Sequence, residues 1–186
     1  MLLNRNKIEV IRTYFDGSAS NQHISSSSRD CFGAYVIGTI KYSYFKSENA
    51  NTSNQAEYDA LIKLLEEIHT IKDYKKKIWL IMGDSTIVIY QIPGIYKTNS
   101  PALLERQQKV FALLKDLKYE LLHVSRTENK AGHVLQMLLD ITRKHHKKIC
   151  VNIGAHVCFD EITKIFNVAL INWWKNYVSY YKKNFV

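Results

Sequence analysis

Three acidic residues of this chain lie where separate structural elements are expected to end or begin. Asp16 closes a β-branched and aromatic segment, Glu57 opens a helical pattern, and Asp84 follows the apolar run 78–82. Carboxylates at the ends of neighbouring elements can meet in space, where they repel one another unless cations lie between them. The pattern therefore predicts a site for divalent metal ions with oxygen ligands, which is typical of phosphate chemistry.

The elements that must position these acids are predicted from periodicity and turn signals. β-Branched and aromatic segments predict a strand that ends at Asp84 and four others, at residues 8–16, 31–39, 41–46 and 119–124. Helical spacing and capping signals predict four helices, one after residue 53, one at 86–91, one from Ser100 and Pro101, and one from Asn129 onward.

Two of these helices carry apolar stripes that predict their inner faces. Glu57 lies four residues before Leu61 on the stripe of the first helix, so its carboxylate is expected to face the body of the protein. The inner face of the helix after Pro101 is expected to consist of six apolar residues, Leu103, Leu104, Val110, Phe111, Leu114 and Leu117.

The order of elements predicts an α/β fold. Early hairpins followed by alternating helices and strands favour a mixed five-stranded sheet, with three antiparallel strands and then parallel strands, flanked by helices. Residues 1–142 are expected to form this domain, and residues 143–186 a basic, aromatic, helical C-terminal extension. The aromatic residues of the extension are expected to pack on the domain, on a protein partner or in self-association more readily than to stack on bases.

Charge and composition narrow the class of protein. The 186 residues include 26 Lys and Arg against 17 Asp and Glu, a net charge of +9, which favours a polyanionic partner such as nucleic acid. The start of the chain turns polar at once, and no apolar run is long enough to cross a membrane. With only three cysteines and no ligand-spaced pair, we expect an intracellular, cytoplasmic protein without a signal peptide or membrane contact.

Four motifs in register carry a family resemblance. They are Asp-Gly-Ser at 16–18, Thr-Ser-Asn-Gln-Ala-Glu-Tyr at 52–58, Gly-Asp-Ser at 83–85 and His-Val-Ser-Arg-Thr-Glu-Asn-Lys-Ala at 123–131. Each motif alone is weak, but their common order and spacing are strong evidence. Over roughly residues 8–142 the chain resembles ribonuclease H of type 1, and so the ribonuclease H-like fold is expected.

The resemblance implies a site of four carboxylates that holds two divalent ions. Asp16, Glu57 and Asp84 match the first three, but the fourth position, four residues after Asn129, is His133. Imidazole is a poorer ligand than carboxylate for Mg²⁺ and suits Mn²⁺ better, so the expected cofactor is two ions of Mg²⁺ or Mn²⁺.

Three interpretations of the fourth position stay open. His133 is itself a catalytic ligand, or another acid such as Glu128 or Asp140 takes its place, or the site is impaired. In the last case the domain would be a module that binds hybrid or duplex RNA with little turnover. A junction-cutting nuclease of the same fold is a further alternative.

The resemblance also implies the substrate. Relatives cleave the RNA strand of RNA–DNA hybrids, which differ from other duplexes in the 2′-hydroxyls of one strand. Thr52 matches a contact to the DNA phosphate, and Arg126 matches a mobile position that helps product leave. The expected substrate contacts are Gly17, Ser18, Thr52, Ser53, Asn54, Ser85, Arg126 and Asn129.

Each candidate also has a simpler structural interpretation. Asp16 before Gly17 could be an ordinary turn acid, and Glu57 could be the third position of a capping box begun by Asn54. His133 could be a structural histidine that is hydrogen-bonded to a neighbour.

Overall fold

β-Branched and aromatic segments form one mixed sheet in the computed structural model, which describes residues 8–19, 30–138 and 140. The strands are β1 (Val10–Ala19), β2 (Cys31–Ile37), β3 (Lys41–Lys46), β4 (Ile78–Gly83) and β5 (Lys118–His123). Their order is β3-β2-β1-β4-β5; β1, β2 and β3 pair antiparallel, whereas β4 is parallel to β1 and to β5. The predicted fold class is therefore confirmed.

The helices begin and end close to the positions predicted from capping and periodicity. They are α1 (Ser53–Thr70), α2 (Thr86–Gln91) and α3 (Pro101–Leu114), with a 3₁₀ turn at Tyr74–Lys76 and a further helical stretch at 130–138. The side chain of Thr52, which has an extended backbone, caps α1 by accepting from the Gln55 N–H at 3.2 Å. The capping box suggested for Asn54 is therefore wrong, because Asn54 already lies within the helix.

The core lies between α1 and one face of the sheet. Phe15 of β1 and Trp79 and Ile81 of β4 are fully buried, and they belong to the same apolar cluster as Leu61 and Leu65 of α1. Spacing of three and four residues puts the apolar side chains of α1 on one side of the helix. Each such fully buried side chain stabilises the fold by about 1.5–3 kcal/mol, and so this packing fixes where the first turn of α1 lies.

Two sequence-based expectations about these elements are wrong. β1 continues three residues beyond Asp16, because Gly17, Ser18 and Ala19 still pair with β2, and so this glycine is part of the sheet rather than a turn. Leu104 and Phe111 were expected on the inner face of α3, but they are 39% and 46% exposed.

The buried side of α3 is narrower than its apolar pattern. Of the residues within the helix only Leu103, Val110 and Leu114 are buried, a stripe at intervals of seven and four residues. Leu113 beside this stripe still packs partly against the core, whereas Leu104 and Phe111 turn towards solvent, which is common at protein surfaces.

The chain divides into two units, Met1–Gly132 and His133–Val186. The sheet and α1–α3 belong to the first unit, and in the second the structure describes residues 133–138 and 140, which are helical. Val134, Leu135 and Leu138 are buried. The proposed extension 143–186 lies outside the described residues, so the predicted boundary at 142 stays a prediction.

No helix among residues 8–19, 30–138 and 140 combines the length and the apolar character that a membrane span needs.

Candidate metal centre

The three predicted acids come together at one edge of the sheet. Asp16, Glu57 and Asp84 each offer a carboxylate oxygen that lies within 4.8 Å of the other two. Asp16 and Glu57 are only 8% exposed, and Asp84 is half-buried. β1 and β4 are parallel neighbours with Tyr14 beside Met82, so two residues further along each strand Asp16 and Asp84 lie side by side.

Gly17 lets α1 bring the third acid to this edge. A Cβ atom on Gly17 would lie 2.2 Å from both Ala56 C and Glu57 N, far closer than atoms can approach. The first turn of α1 therefore rests directly on the backbone of β1, and this contact places Glu57 beside Asp16. A glycine is required here for close approach of two backbones.

A hydrogen bond from Asn129 holds the side chain of Asp84 in place. The fully buried Asn129 donates its Nδ2 to Asp84 Oδ1 at 2.6 Å and to the Phe15 carbonyl at 2.9 Å, while its Oδ1 accepts from the Ala131 N–H at 3.1 Å. His123 Nε2 lies 3.3 Å from the Asp84 carbonyl oxygen. The sequence pointed to Asn129 as a substrate contact, whereas its described contacts are to protein atoms that hold an acid in place.

Burial and mutual repulsion control the charge of the cluster. Desolvation, with the Asp84 charge as the next cause, raises the pKa of Asp16 to about 7 from its ordinary 3.8. Desolvation and the charges of Asp16 and Asp84 likewise raise the pKa of Glu57 well above 4.5, and its Oε2 is buried without a hydrogen-bond partner. Without a cation the two acids therefore retain a proton near neutral pH.

A divalent cation fits this set of donors. Hard ions such as Mg²⁺ and Mn²⁺ prefer carboxylate oxygens, and a buried oxygen with no hydrogen-bond donor is free to coordinate. A bound cation would also remove the repulsion that raises the pKa values of Asp16 and Glu57.

The raised pKa values predict how stability depends on pH and metal. The folded state holds protons that the unfolded chain releases between pH 4 and about 7, so in metal-free buffer these acids destabilise the fold as pH rises through that range. Because the pKa of Glu57 is raised, we expect Glu57→Gln to gain stability over wild type as pH rises above the ordinary range of a glutamate carboxyl. Urea unfolding with EDTA measures the difference.

Two comparisons decide this prediction. Glu120→Gln, which removes an exposed acid of β5, should show no such divergence from wild type. Addition of Mg²⁺ or Mn²⁺ at pH 8 should stabilise wild type more than Glu57→Gln. If the free energies of unfolding of Glu57→Gln and wild type changed with pH in parallel, the buried acid would not destabilise the fold as expected.

The predicted substrate contacts on α1 lie at the start of the helix, close to the end of β1. Thr52 and Ser53 are exposed at the start of α1, and Asn54 is half-buried. Ser53 Oγ accepts from the Ala19 N–H at 3.3 Å, which ties the end of β1 to this helix start. Gly17 is buried and Ser18 half-buried on β1, next to the acids.

The other predicted contacts lie after β4 and β5. Ser85 caps α2 by accepting from the Val88 N–H at 3.4 Å, directly beyond Asp84. Arg126 is exposed, and its charge acts to lower the pKa of Asp16, against the effect of burial. Both residues therefore lie on the same side of the fold as the acids.

The acids suggested as substitutes for His133 have local partners. Glu128 accepts from the Ser125 N–H at 3.1 Å and from Ser125 Oγ at 2.6 Å, contacts that lower its pKa. Asp140 accepts from Gln136 Nε2 at 2.9 Å. His133 is a half-buried helical residue, and its role as fourth ligand stays a prediction.

Solved structures show the same architecture. A crystal structure of RNase H1 from the halophilic archaeon Halobacterium salinarum NRC-1 aligns with 70% of this chain and 98% of its own, with a TM-score of 0.60 and 28% identity. The chain has the ribonuclease H-like fold. LC11-RNase H1, solved in complex with an RNA/DNA hybrid, aligns with 64% of this chain and 88% of its own, with a TM-score of 0.55 and 24% identity.

Curated relatives are found by sequence as well. Ribonuclease HI of Halobacterium salinarum is 35% identical over 85 residues, which are 45% of this chain and 41% of that protein. An uncharacterised Bacillus subtilis protein, YpeP, is 30% identical over 110 residues, 58% of this chain and 48% of that protein. The chain thus spans less than half the length of these relatives. No protein-family model matches the chain.

Proposed function

We propose that this chain is a metal-dependent endonuclease that cleaves the RNA strand of RNA–DNA hybrids. The observation that carries the proposal is the meeting of Asp16, Glu57 and Asp84 with their oxygens within 4.8 Å, two of them buried, on a ribonuclease H-like fold. Buried acids that repel each other are a cost to the fold unless cations or protons neutralise them.

In this proposal Asp16, Glu57, Asp84 and His133 hold two ions of Mg²⁺ or Mn²⁺. When bound, such ions supply an activated water and stabilise the leaving oxygen of the phosphodiester. The protein contributes position and electrostatics. Asn129 holds the Asp84 carboxylate at 2.6 Å, and Gly17 allows α1 to press Glu57 towards Asp16.

The proposed hybrid contacts surround the acids. The start of α1, with exposed Thr52 and Ser53, offers hydroxyls and the positive end of an 18-residue helix to a phosphate. Arg126 adds a cation on the same side of the fold. The hybrid-bound structure of LC11-RNase H1 supports the choice of substrate.

One assay tests the proposal. The protein is incubated with labelled RNA–DNA hybrid, double-stranded RNA and a DNA junction, each with Mg²⁺ or with Mn²⁺. Cleavage of the RNA strand of the hybrid alone is the expected result. Hybrid binding without cleavage in either metal would overturn the proposal in favour of a binding module, and cleavage of the junction would indicate a resolving nuclease.

Replacement of His133 by Asp tests the fourth ligand. Because carboxylate suits Mg²⁺ better than imidazole does, His133→Asp is expected to raise the Mg²⁺-dependent cleavage rate about tenfold or more, with a smaller change in Mn²⁺. Single-turnover rates at equal protein and saturating metal measure the effect. Asp140→Asn is the control and should leave both rates unchanged; an unchanged Mg²⁺ rate in His133→Asp would remove this residue from the site.

A further inference from the structure

An arginine fork ties two helices and a loop together on the side of α1 that lies away from the acids. Arg106 of α3 donates its Nε to Asp59 Oδ1 of α1 at 2.7 Å and its Nη2 to Asp59 Oδ2 at 3.3 Å. The side chains of Arg106 and Asp59 are only 12% and 20% exposed. Such a partly buried two-point ion pair is held in one geometry more firmly than a surface pair.

The same two side chains also hold the loop 47–51 that precedes α1. Arg106 Nη2 donates to the Asn49 carbonyl at 2.9 Å, and Nη1 donates to the Ala102 carbonyl at 3.0 Å. Ser47 donates its hydroxyl to Asp59 Oδ2, the oxygen that also accepts from Arg106 Nη2. The ion pair thus reaches the loop at both Ser47 and Asn49.

From this loop the chain runs directly into the proposed substrate contacts. The Asn51 N–H donates to Gln55 Oε1 at 2.6 Å, and Thr52 Oγ1 accepts from the Gln55 N–H. Ala50 is buried in a small cluster with Cys31 and Ala56. A loop fixed at Ser47, Asn49 and Ala50 leaves little freedom for Thr52 and Ser53.

A groove of about 920 Å³ lies over this ion pair, between β3, α1 and α3. Each cation that lines it has an acidic partner: Arg106 pairs with Asp59, Lys46 pairs with Asp30, and Lys63 and Lys109 share Glu66. An anionic ligand in the groove would therefore have to compete with these acids for each cation.

We propose that Arg106 and Asp59 are positioning residues that preorganise Thr52 and Ser53 for the nucleic acid. The inference rests on the proposed function, and neither residue touches the substrate in it. By fixing the loop before α1, the pair lowers the conformational entropy that hybrid binding must remove. Its loss weakens substrate binding and leaves the chemical step at the acids intact.

The experiment combines two measurements on full-length variants. Arg106→Gln and Asp59→Asn break the ion pair, and Arg106→Lys keeps the charge but removes the fork that reaches Asn49. Ile68→Val, a small loss in the core of α1, is the matched control for reduced stability. Hydrogen–deuterium exchange follows the amides of residues 47–54, and steady-state cleavage of labelled hybrid separates KM from kcat.

Faster exchange confined to residues 47–54 is expected in all three ion-pair variants. KM is expected to rise about three- to tenfold, with kcat within twofold of wild type. Ile68→Val should change neither the exchange of this segment nor KM.

Three results would overturn the positioning role. They are unchanged exchange at 47–54, a fall in kcat without a rise in KM, and full recovery of wild-type behaviour by Arg106→Lys. A wild-type chain that does not cleave hybrid would refute the proposed function instead, and the exchange data would then decide separately whether the ion pair holds the loop.

Discussion

Asp16→Asn is expected to lower hybrid cleavage by a factor of about a thousand or more while the fold is kept. The carboxamide is nearly isosteric but carries no charge, and Asp16 offers an oxygen within 4.8 Å of those of Glu57 and Asp84, where it would help to hold a cation. Because burial raises the pKa of Asp16, the neutral side chain should also relieve the repulsion in the metal-free protein. Single-turnover cleavage in Mg²⁺ and in Mn²⁺ measures the first effect.

Thermal unfolding with EDTA at pH 8 measures the second effect of Asp16→Asn. A higher Tm than wild type, together with the loss of cleavage, would separate a functional acid from a structural one. Asp116→Asn, which removes an exposed acid paired with Lys75, is the control and should retain cleavage. Retention of more than about a tenth of wild-type activity by Asp16→Asn would be incompatible with a central metal ligand.

Gly17→Ala is expected to destabilise the protein by about 3 kcal/mol or more and to remove cleavage. The added methyl would meet the backbone of Ala56 and Glu57 at 2.2 Å, and backbone atoms within a packed helix cannot move aside as a flexible side chain can. Either α1 shifts and carries Glu57 away from Asp16, or β1 breaks from its neighbours. Urea unfolding and hybrid cleavage measure the two consequences.

A second glycine supplies the control for Gly17→Ala. Gly94 has a positive φ of 79°, and a Cβ atom there would meet nothing within 4 Å. Gly94→Asn should therefore cost only about 1 kcal/mol, since asparagine tolerates the left-handed region. A Gly17→Ala protein as stable as Gly94→Asn would show that α1 does not rest on β1 as described.

The sequence was sufficient to predict the three acids of the site, because a local sequence feature identifies each of them. Asp84 follows an apolar run, Glu57 lies on the stripe of α1, and Asp16 precedes a glycine that strands rarely contain. Parallel pairing of β1 with β4 then brings them to one edge of the sheet. Local pattern and the topology rules for such sheets were enough to predict both the fold and this meeting of side chains.

Contacts between distant side chains could not be predicted in the same way. Arg106 and Asp59 look like ordinary charged residues of two amphipathic helices, and only the packing of α3 against α1 shows that they meet. Asn129 likewise carries no mark of its hydrogen bond to Asp84. The exposure of Leu104 and Phe111 was also beyond a periodicity argument, because the pattern gives the apolar side of a helix but not how much of it a neighbour covers.

The hydrogen bond from Asn129 to the Phe15 carbonyl joins residues 114 positions apart in the chain. A contact with so large a sequence separation forms late, since the entropy of closing the intervening loop is recovered only when the strands and helices between its ends are in place. We therefore expect the hydrogen bond of Asn129 to Asp84 to be among the last features of the candidate metal centre to form as the chain folds. A partly folded chain, in which Asn129 does not yet hold Asp84, is expected to bind divalent cations more weakly than the native protein.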